Sequence, residues 1–401
     1  MKLPALRVLV AGGACLLAVS AAGARKVVVA PVPAVDTIVA FPAERRDVEI
    51  AFYAGRAARD PIGAADRSRL GALYLDRARA MGSYEDVKRA EAMARESLRL
   101  REAHNTATHA LLASALMAQH RFAEALAAAE RADAAEPGVV SYRALIGEIA
   151  AELGDYDRAR AVFDSLRRES LSDAATLRLA RWDELSGHVD WAERRFRAVL
   201  AEWQRDPGVS AGQRAWLHVR LAELAMKTAR WGAADSAIAA GLRAKPGDDR
   251  LLGTAARLAA ARGRWREAID VGERAIANRM EPAVIAALSD AYAARGDSGR
   301  AAQCAAVMRT VAIGSSTPDF PLREWSLWML DHALDVERVL HLARAQVRTR
   351  HDVYTYDLYA WALYKSGRFA DARDAMRQAL RIGTEDRLIE RHAAEIMRSR
   401  S

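Results

Sequence analysis

Along most of this chain, small residues, a glycine and an aromatic residue recur in fixed phase, with charged and polar residues between them. The clearest copies are Gly154-Asp155-Tyr156 before Ala159, Gly263-Arg264-Trp265 before Ala268, and Gly367-Arg368-Phe369 before Ala372. Degenerate copies start at His120, Gly187, Ala229 and Gly296; Gly82 opens the series in altered form, and the stretch from Leu334 to Val339 fills the gap before the last copy. Subtracting successive anchors (82, 120, 154, 187, 229, 263, 296, 334, 367) gives spacings of 38, 34, 33, 42, 34, 33, 38 and 33. A period of that length marks a stacked array of helix pairs, in which each unit buries its apolar face only against its neighbours.

Each element of the motif has a physical reason. Seven residues before the anchors stand Ala113, Gly147, Ala180, Ala222, Ala256, Ser289 and Ala360; five after them stand Ala125, Ala159, Ala192, Ala234, Ala268, Ala301 and Ala372. Small residues at both places let two antiparallel helices approach closely. The glycine ends the first helix in a left-handed turn, and the aromatic two places on folds back between the helices. Pro137 and Pro246, each 17 residues past an anchor, stop a second helix. The pattern predicts an all-α, right-handed α-solenoid of about nine helix pairs with no sheet. Two copies depart from it. Val87 replaces the second small residue of the first copy, with Ala90 as its stand-in, and Leu327 and Val339 replace both in the copy around Leu334. Helix packing is expected to be looser or shifted there.

This pattern resembles the tetratricopeptide repeat over nearly everything from residue 64 to the end. The last copy, running from Tyr354 through Trp361 and Tyr364 to Phe369, is similar to the closing repeat of exported bacterial tetratricopeptide proteins that carry a "DVYTYD…AWALY…GR" segment. Membership of that group implies a protein-interaction scaffold and no settled activity.

The flanks read differently from the array at 64–383. Residues 1–24 have the form of a secretory signal peptide: Lys2 and Arg7, an apolar run from Val8 to Val19, and Ala22-Gly23-Ala24 as a cleavage site. The expected product is periplasmic or secreted, cut after Ala24, with an inner-membrane anchor as the alternative. Cys15 raises lipidation, but Gly12-Gly13-Ala14 before it lacks a large aliphatic residue. Membrane contact is expected only if the leader is uncleaved or lipidated. Residues 25–44, with Pro31, Pro33 and Pro42, read as an extended linker. A capping helix is expected within 45–63, from about Asp47 to Arg59, with Val48, Ala51, Phe52 and Ala58 inward. A second is expected within 384–401, from Asp386 to Arg398, with Leu388, Ile389, Ala393 and Ile396 inward.

Composition narrows the function. The net charge of +8 falls to +6 once Lys2 and Arg7 leave with the leader, and the arginines alternate with Glu and Asp instead of forming a basic block. No nucleic-acid partner is expected. After cleavage Cys304 is the only cysteine, which excludes an intramolecular disulfide and a thiolate metal cluster. The nine histidines form no zinc-binding helical pair, and no phosphate loop or Gly-x-Ser-x-Gly motif occurs. No catalytic residue, metal or cofactor is expected.

The groove is the remaining candidate. Six residues before each anchor, on the face that lines the concave side in this repeat class, stand Ser114, Glu148, Arg181, Glu223, Arg257, Asp290, Trp328 and Trp361. Alternating charge followed by tryptophan suits an extended peptide of mixed charge whose apolar end docks at the C-terminal repeats. Equally, Glu148 and Arg181, and Glu223 and Arg257, could pair across neighbouring helices and simply solubilise the groove. The aromatics Trp328, Trp361 and Tyr364 form a candidate cleft, with a buried C-terminal core as the plainer reading. The ladder lacks the asparagine and lysine of the chaperone carboxylate clamp and the asparagine ladder of repeat-bearing glycosyltransferases. The leading expectation is a non-catalytic scaffold of the bacterial cell envelope that binds a partner protein or peptide in its groove. The alternative is a periplasmic glycan- or peptidoglycan-associated protein using the aromatic end.

Overall fold

The computed structural model describes residues 43–277, 279–314 and 323–399. The expected leader, and all but the last two residues of the expected linker, lie outside them. Among the described residues there are twenty helices and no strand. A first helix, α1 (Ala43–Arg59), precedes nine pairs. These are α2 (Ala64–Met81) with α3 (Tyr84–Leu100), α4 (Thr106–Met117) with α5 (Phe122–Ala135), and α6 (Val140–Leu153) with α7 (Tyr156–Leu166). Next come α8 (Asp173–Leu185) with α9 (Val189–Arg205), α10 (Ala211–Lys227) with α11 (Trp231–Ala244), and α12 (Asp249–Ala261) with α13 (Trp265–Ile276). The last are α14 (Pro282–Ala294) with α15 (Ser298–Gly314), α16 (Arg323–Asp331) with α17 (Val336–Val347), and α18 (Val353–Lys365) with α19 (Phe369–Ala379), before a final α20 (Arg387–Arg398).

The second helix of every pair begins two residues after its anchor. Six glycine anchors hold φ between 68° and 81°, while His120 and Ala229 hold 58° and 55° without being glycine. A side chain in that conformation costs roughly 1–2 kcal/mol, so packing imposes the turn there. In the departing copy the left-handed residues are Ala333 and Asp335, on either side of Leu334. The small positions do what their size permits. Ala113, Ala180, Ala222, Ala256 and Ala360 are buried, as are Ala125, Ala159, Ala192, Ala234 and Ala372. A Cβ added to Gly147 would meet Phe163 and Val162 at 3.0 Å. The aromatics vary more: Phe122 and Tyr156 are buried, Trp231, Trp265 and Phe369 half-buried, and Tyr84 exposed.

The two departing copies behave differently. α2 and α3, expected to pack more loosely, make the closest contact of any pair, with Ala90 fully buried as the stand-in beside Val87, and only the copy around Leu334 is loose. α16 has only 9 residues, and within a pair α16 and α17 make the sparsest contact of the nine. Leu327 and Val339, bulky residues at positions where other pairs place small ones, are both buried.

The N-terminal cap turns the other way from the expectation. α1 buries Arg46 and Ile50 and packs Tyr53 and Ala54 against Leu70 and Leu73, while Val48 and Phe52 remain 69% and 54% exposed. Arg46 takes an inward place because Asp76 on α2 lies 3.6 Å away to receive its charge. At the other end α20 buries Ile389 and Ile396 with Leu388 and Ala393 beside them, capped by the Asp386 carboxylate on the Leu388 amide. No described helix is long and apolar enough to cross a membrane.

The array closes on itself. Loops between pairs in the C-terminal half rest on turns within pairs in the N-terminal half. The His351 amide donates to the Leu153 carbonyl at 2.8 Å, and the Val353 amide to the Tyr156 hydroxyl at 2.7 Å. Thr384 Oγ1 donates to the Leu185 carbonyl at 2.5 Å. Arg350 bonds the backbone and carboxylate of Glu152, both at 3.3 Å, and lies 4.6 Å from the Phe122 ring centre. Arg387 lies 4.8 Å from that of Trp231. Glycine is required where the two halves meet: a Cβ would stand 2.2 Å from the His351 backbone at Gly154 and 2.3 Å from the Gly383 carbonyl oxygen at Gly187.

Candidate functional site

Closure leaves a central cavity of about 840 Å³. Its walls come from the first helices α6, α8, α10 and α12, from the starts of α14 and α16, and from residues of the closing loops around Arg350, Tyr354 and Asp386. Of the eight expected groove residues, Glu148, Arg181, Glu223 and Arg257 line this cavity; Asp290, Trp328, Trp361 and Tyr364 are not among its lining residues.

The four that line it are stitched together. Arg181 lies 3.8 Å from Glu148 and 3.2 Å from Glu152, and Arg257 lies 3.3 Å from Glu223 and 3.4 Å from Glu281. Pairing across neighbouring helices is therefore what the alternation does. Arg181 nevertheless keeps 42% of its side chain accessible to water in the cavity. A wetted ion pair of this kind contributes only about 0–1 kcal/mol, so exchanging one partner for a ligand group loses little.

A second layer, which the ladder does not contain, is tighter. Glu184 accepts from Arg220 at 2.7 Å and from Lys227 at 2.6 Å, and Lys227 also donates to the Tyr354 hydroxyl at 2.8 Å. Burial alone would raise the Glu184 carboxyl, but the Lys227 ammonium and the Arg220 guanidinium outweigh it and bring its pKa down to about 2. Burial likewise works against the Lys227 ammonium, and Glu184 more than reverses it, so its pKa is raised. Glu152 goes the other way: burial raises its carboxyl, and Arg181 and Arg350 offset that only in part. Arg323, like Lys227, is a cation over the Tyr354 ring, 4.9 Å and 5.0 Å from its centre, and it bonds Asp357 at 2.9 Å.

These residues were within reach of the sequence. Glu184 lies three places after Arg181, Arg220 three before Glu223, and Lys227 four after it, which puts each on the same helical face as a ladder residue. Tyr354, seven places before Trp361, shares its helical face too, but its contact with Lys227 had no local signal, because that arises through closure of the array. The lining cations are Arg121, Arg178, Arg181, Arg220, Lys227, Arg257, Arg323, Arg350 and Arg387; the anions are Glu124, Glu148, Glu152, Glu184, Glu223, Glu324, Asp352 and Asp386. Nine against eight leaves the cavity charged but almost neutral, among apolar residues such as Phe122, Trp182 and Met226, which matches a ligand carrying both signs and gives a simple polyanion no advantage.

The aromatic end is not an open cleft. Trp328 and Trp361 are 6% and 2% exposed. Trp361 stacks on His392 of α20 at 4.2 Å between ring centres and donates its indole proton to Asp331 at 2.9 Å. Trp328 donates to Asp290 at 3.3 Å. α20 covers the place where the groove would have continued, and with it the expected cleft becomes core. Tyr364, half-buried, stacks on Trp361 at 5.1 Å. Behind Trp361, His392 and Asp357 share a fully buried hydrogen bond of 2.7 Å.

Among the described residues no cluster of His, Cys, Asp and Glu could hold a metal ion. Ser186 Oγ lies 3.0 Å from His188 Nδ1, but it donates to the Trp182 carbonyl at 2.7 Å and so does not offer its proton to the imidazole. Residues 116–181 match the family model of the tetratricopeptide repeat. This stretch carries tetratricopeptide repeats. No curated protein sequence matches it. Among solved structures, similarity extends to the human IFIT1 dimer with m7Gppp-AAAA, at 14% identity over 80% of this chain and 71% of that one, TM-score 0.49. PilW, a widely conserved type IV pilus biogenesis factor, is 16% identical over 54% and 93%, TM-score 0.40. Yeast Tom70 is 11% identical over 88% and 85%, TM-score 0.37. Likeness at this level says nothing about what the present repeats bind.

Proposed function

We propose that this tetratricopeptide-repeat protein is a non-catalytic scaffold of the bacterial cell envelope that takes a mixed-charge segment of a partner protein into its central cavity. One observation carries the reading: Glu148, Arg181, Glu223 and Arg257 face a single cavity of about 840 Å³, paired in alternation across neighbouring helices, with Arg181 still 42% exposed to it. The envelope location rests on the leader-like residues 1–24 and on the closing repeat's resemblance to exported bacterial proteins. The glycan alternative depended on an exposed aromatic cleft, and with Trp328 and Trp361 buried no feature of the described residues favours it.

The test is a pull-down from envelope extract with the wild type and with an Arg181→Glu/Arg257→Glu variant of equal helicity. A defined protein recovered by the first and lost with the second supports the cavity. Recovery that survives charge reversal places the contact elsewhere on the array, and sedimentation with purified sacculi instead would restore the glycan reading. Mass spectrometry of the native protein tests the compartment: a chain starting at Arg25 is the expected product, and one starting at Met1 means a retained anchor.

A further inference from the structure

A second pocket opens where the end of α9 meets α10 and α11, and it shares no lining residue with the central cavity. It holds about 840 Å³ and is lined by Arg205 and Asp206 at the end of α9, by Arg214 and His218 on α10, and by Arg243 in the last turn of α11. We infer that this pocket is a binding site for a tetrahedral dianion of the sulfate or phosphate kind.

Three observations carry this. The first is charge left unmatched. Among the described residues none of the three lining arginines pairs with a carboxylate: Arg205 bonds the Ala201 carbonyl at 3.1 Å, and Arg214 bonds those of Val209 at 2.7 Å and Trp203 at 3.4 Å. Asp206, the one carboxylate in the lining, accepts from the Gly208 amide at 2.7 Å. Three guanidiniums against one carboxylate leave two positive charges, which a dianion neutralises. Each guanidinium has further N–H groups to give, and their bonds to an oxyanion are of the strong, charge-assisted kind. The second observation is a buried imidazole. His218 lines the pocket at 6% exposure, and its Nδ1 has no hydrogen-bond partner. A polar atom buried without a bond costs free energy and asks for a reason that packing does not give. The third is the field at that imidazole. Burial, and after it the Arg243 and Arg197 guanidiniums, hold its pKa below the ordinary value. Gly241 brings the helices this close, since a Cβ there would stand 2.8 Å from that of His218. The charged groups around His218 are therefore Arg214 on its own helix, Asp206 before it, Arg205 and Arg197 of α9, and Arg243 of α11. A dianion among them offsets the positive field and lets the imidazole take up a proton, so binding strengthens as pH falls. The site stands whether or not the central cavity takes a partner.

The experiment is a calorimetric titration of sodium sulfate into the full-length protein at fixed ionic strength, with sodium chloride as the reference. Sulfate does not titrate near neutral pH, so any proton taken up on binding belongs to the protein. Saturable binding of one sulfate is expected, weakened about tenfold or more by Arg205→Ala/Arg243→Ala. Both side chains are exposed, so the fold should not feel their loss. Arg160→Ala/Arg266→Ala removes the same charge from exposed positions on α7 and α13 and should leave the affinity unchanged. Binding should also tighten as pH falls from about 7.5 to about 5.5, and His218→Asn should abolish that dependence. If His218→Asn does not fold, proton uptake by the parent, read from titrations in two buffers of different ionisation enthalpy, decides the same point. No saturable heat beyond that of chloride would overturn the site. Equal weakening by the two arginine pairs would assign the effect to net charge and also overturn it. An affinity independent of pH is equally fatal, because it would leave the buried imidazole outside the site and reduce the pocket to a group of surface arginines.

Discussion

Arg181 and Trp361 occupy the same place in the repeat, six residues before an anchor, and end in opposite environments. Arg181 is wetted and weakly paired inside the cavity; Trp361 is sealed between Tyr364, His392 and Asp331. Repeat position sets the direction in which a side chain leaves its helix. What lies across from it decides whether that direction is a surface or a core. Arg181 opens onto the cavity beside Glu148 and Glu152, and Trp361 meets α20, 4.2 Å from ring centre to ring centre. A groove inferred from repeat phase alone is therefore a list of directions, and the capping elements determine how much of it stays open.

The comparison breaks most easily at Trp361. Truncating it to alanine should cost about 3–5 kcal/mol of stability, the cost of emptying a packed aromatic site, read as a lower midpoint in denaturant at unchanged m-value. A midpoint within error of the parent would mean α20 does not seal the site, and the groove would extend to the C-terminal pair after all.

Next comes Glu184, a charged cavity group that nonetheless behaves as core. Glu184→Gln leaves Lys227 and Arg220 without their shared carboxylate and should cost about 3 kcal/mol at neutral pH. The pH dependence sharpens this. The carboxyl is held at about 2 against an ordinary 4.5, so its stabilisation is fully present above the ordinary value and lost as pH falls toward the folded one. The stability gap between parent and Glu184→Gln should accordingly close between pH 4.5 and about 2. A gap that stayed constant across that window would mean the carboxylate is not what holds the pair.

Smaller effects follow. Ala229→Gly removes a left-handed alanine, φ 55°, and should stabilise by about 1 kcal/mol; a loss of stability would show the methyl packs better than its strain suggests. Arg181→Ala should change the melting midpoint least, within about 1 kcal/mol, although it occupies the same repeat position as Trp361. A large loss there would move Arg181 from the groove surface into the framework.

Much of this was legible beforehand because a repeat states its rule many times. The phase of small residue, turn and aromatic located the start of every second helix, even at His120 and Ala229, where the residue itself is a poor turn former. The paired ladder was equally readable, since it needs only helical spacing and a period. The inward face of α1 was not. Val48 and Phe52 are its more apolar choice, yet Arg46 with Asp76 and Ile50 with Leu70 and Leu73 decide the facing, and those partners lie on another helix. The contact of Tyr354 with Lys227 escaped for the same reason on a larger scale: no local periodicity reports a contact between residues 351 and 153.

That contact between distant repeats also changes how the molecule should come apart. An open solenoid behaves as a one-dimensional lattice, in which each unit feels only its neighbours and the ends melt first. Joining loop 351 to turn 153, and Thr384 to Leu185, adds couplings that skip about 200 residues. The C-terminal pairs can then no longer fray without also releasing the middle of the array. Denaturation of this protein should therefore lean toward a single cooperative transition, with the sequential melting of an open array returning once the seam is cut.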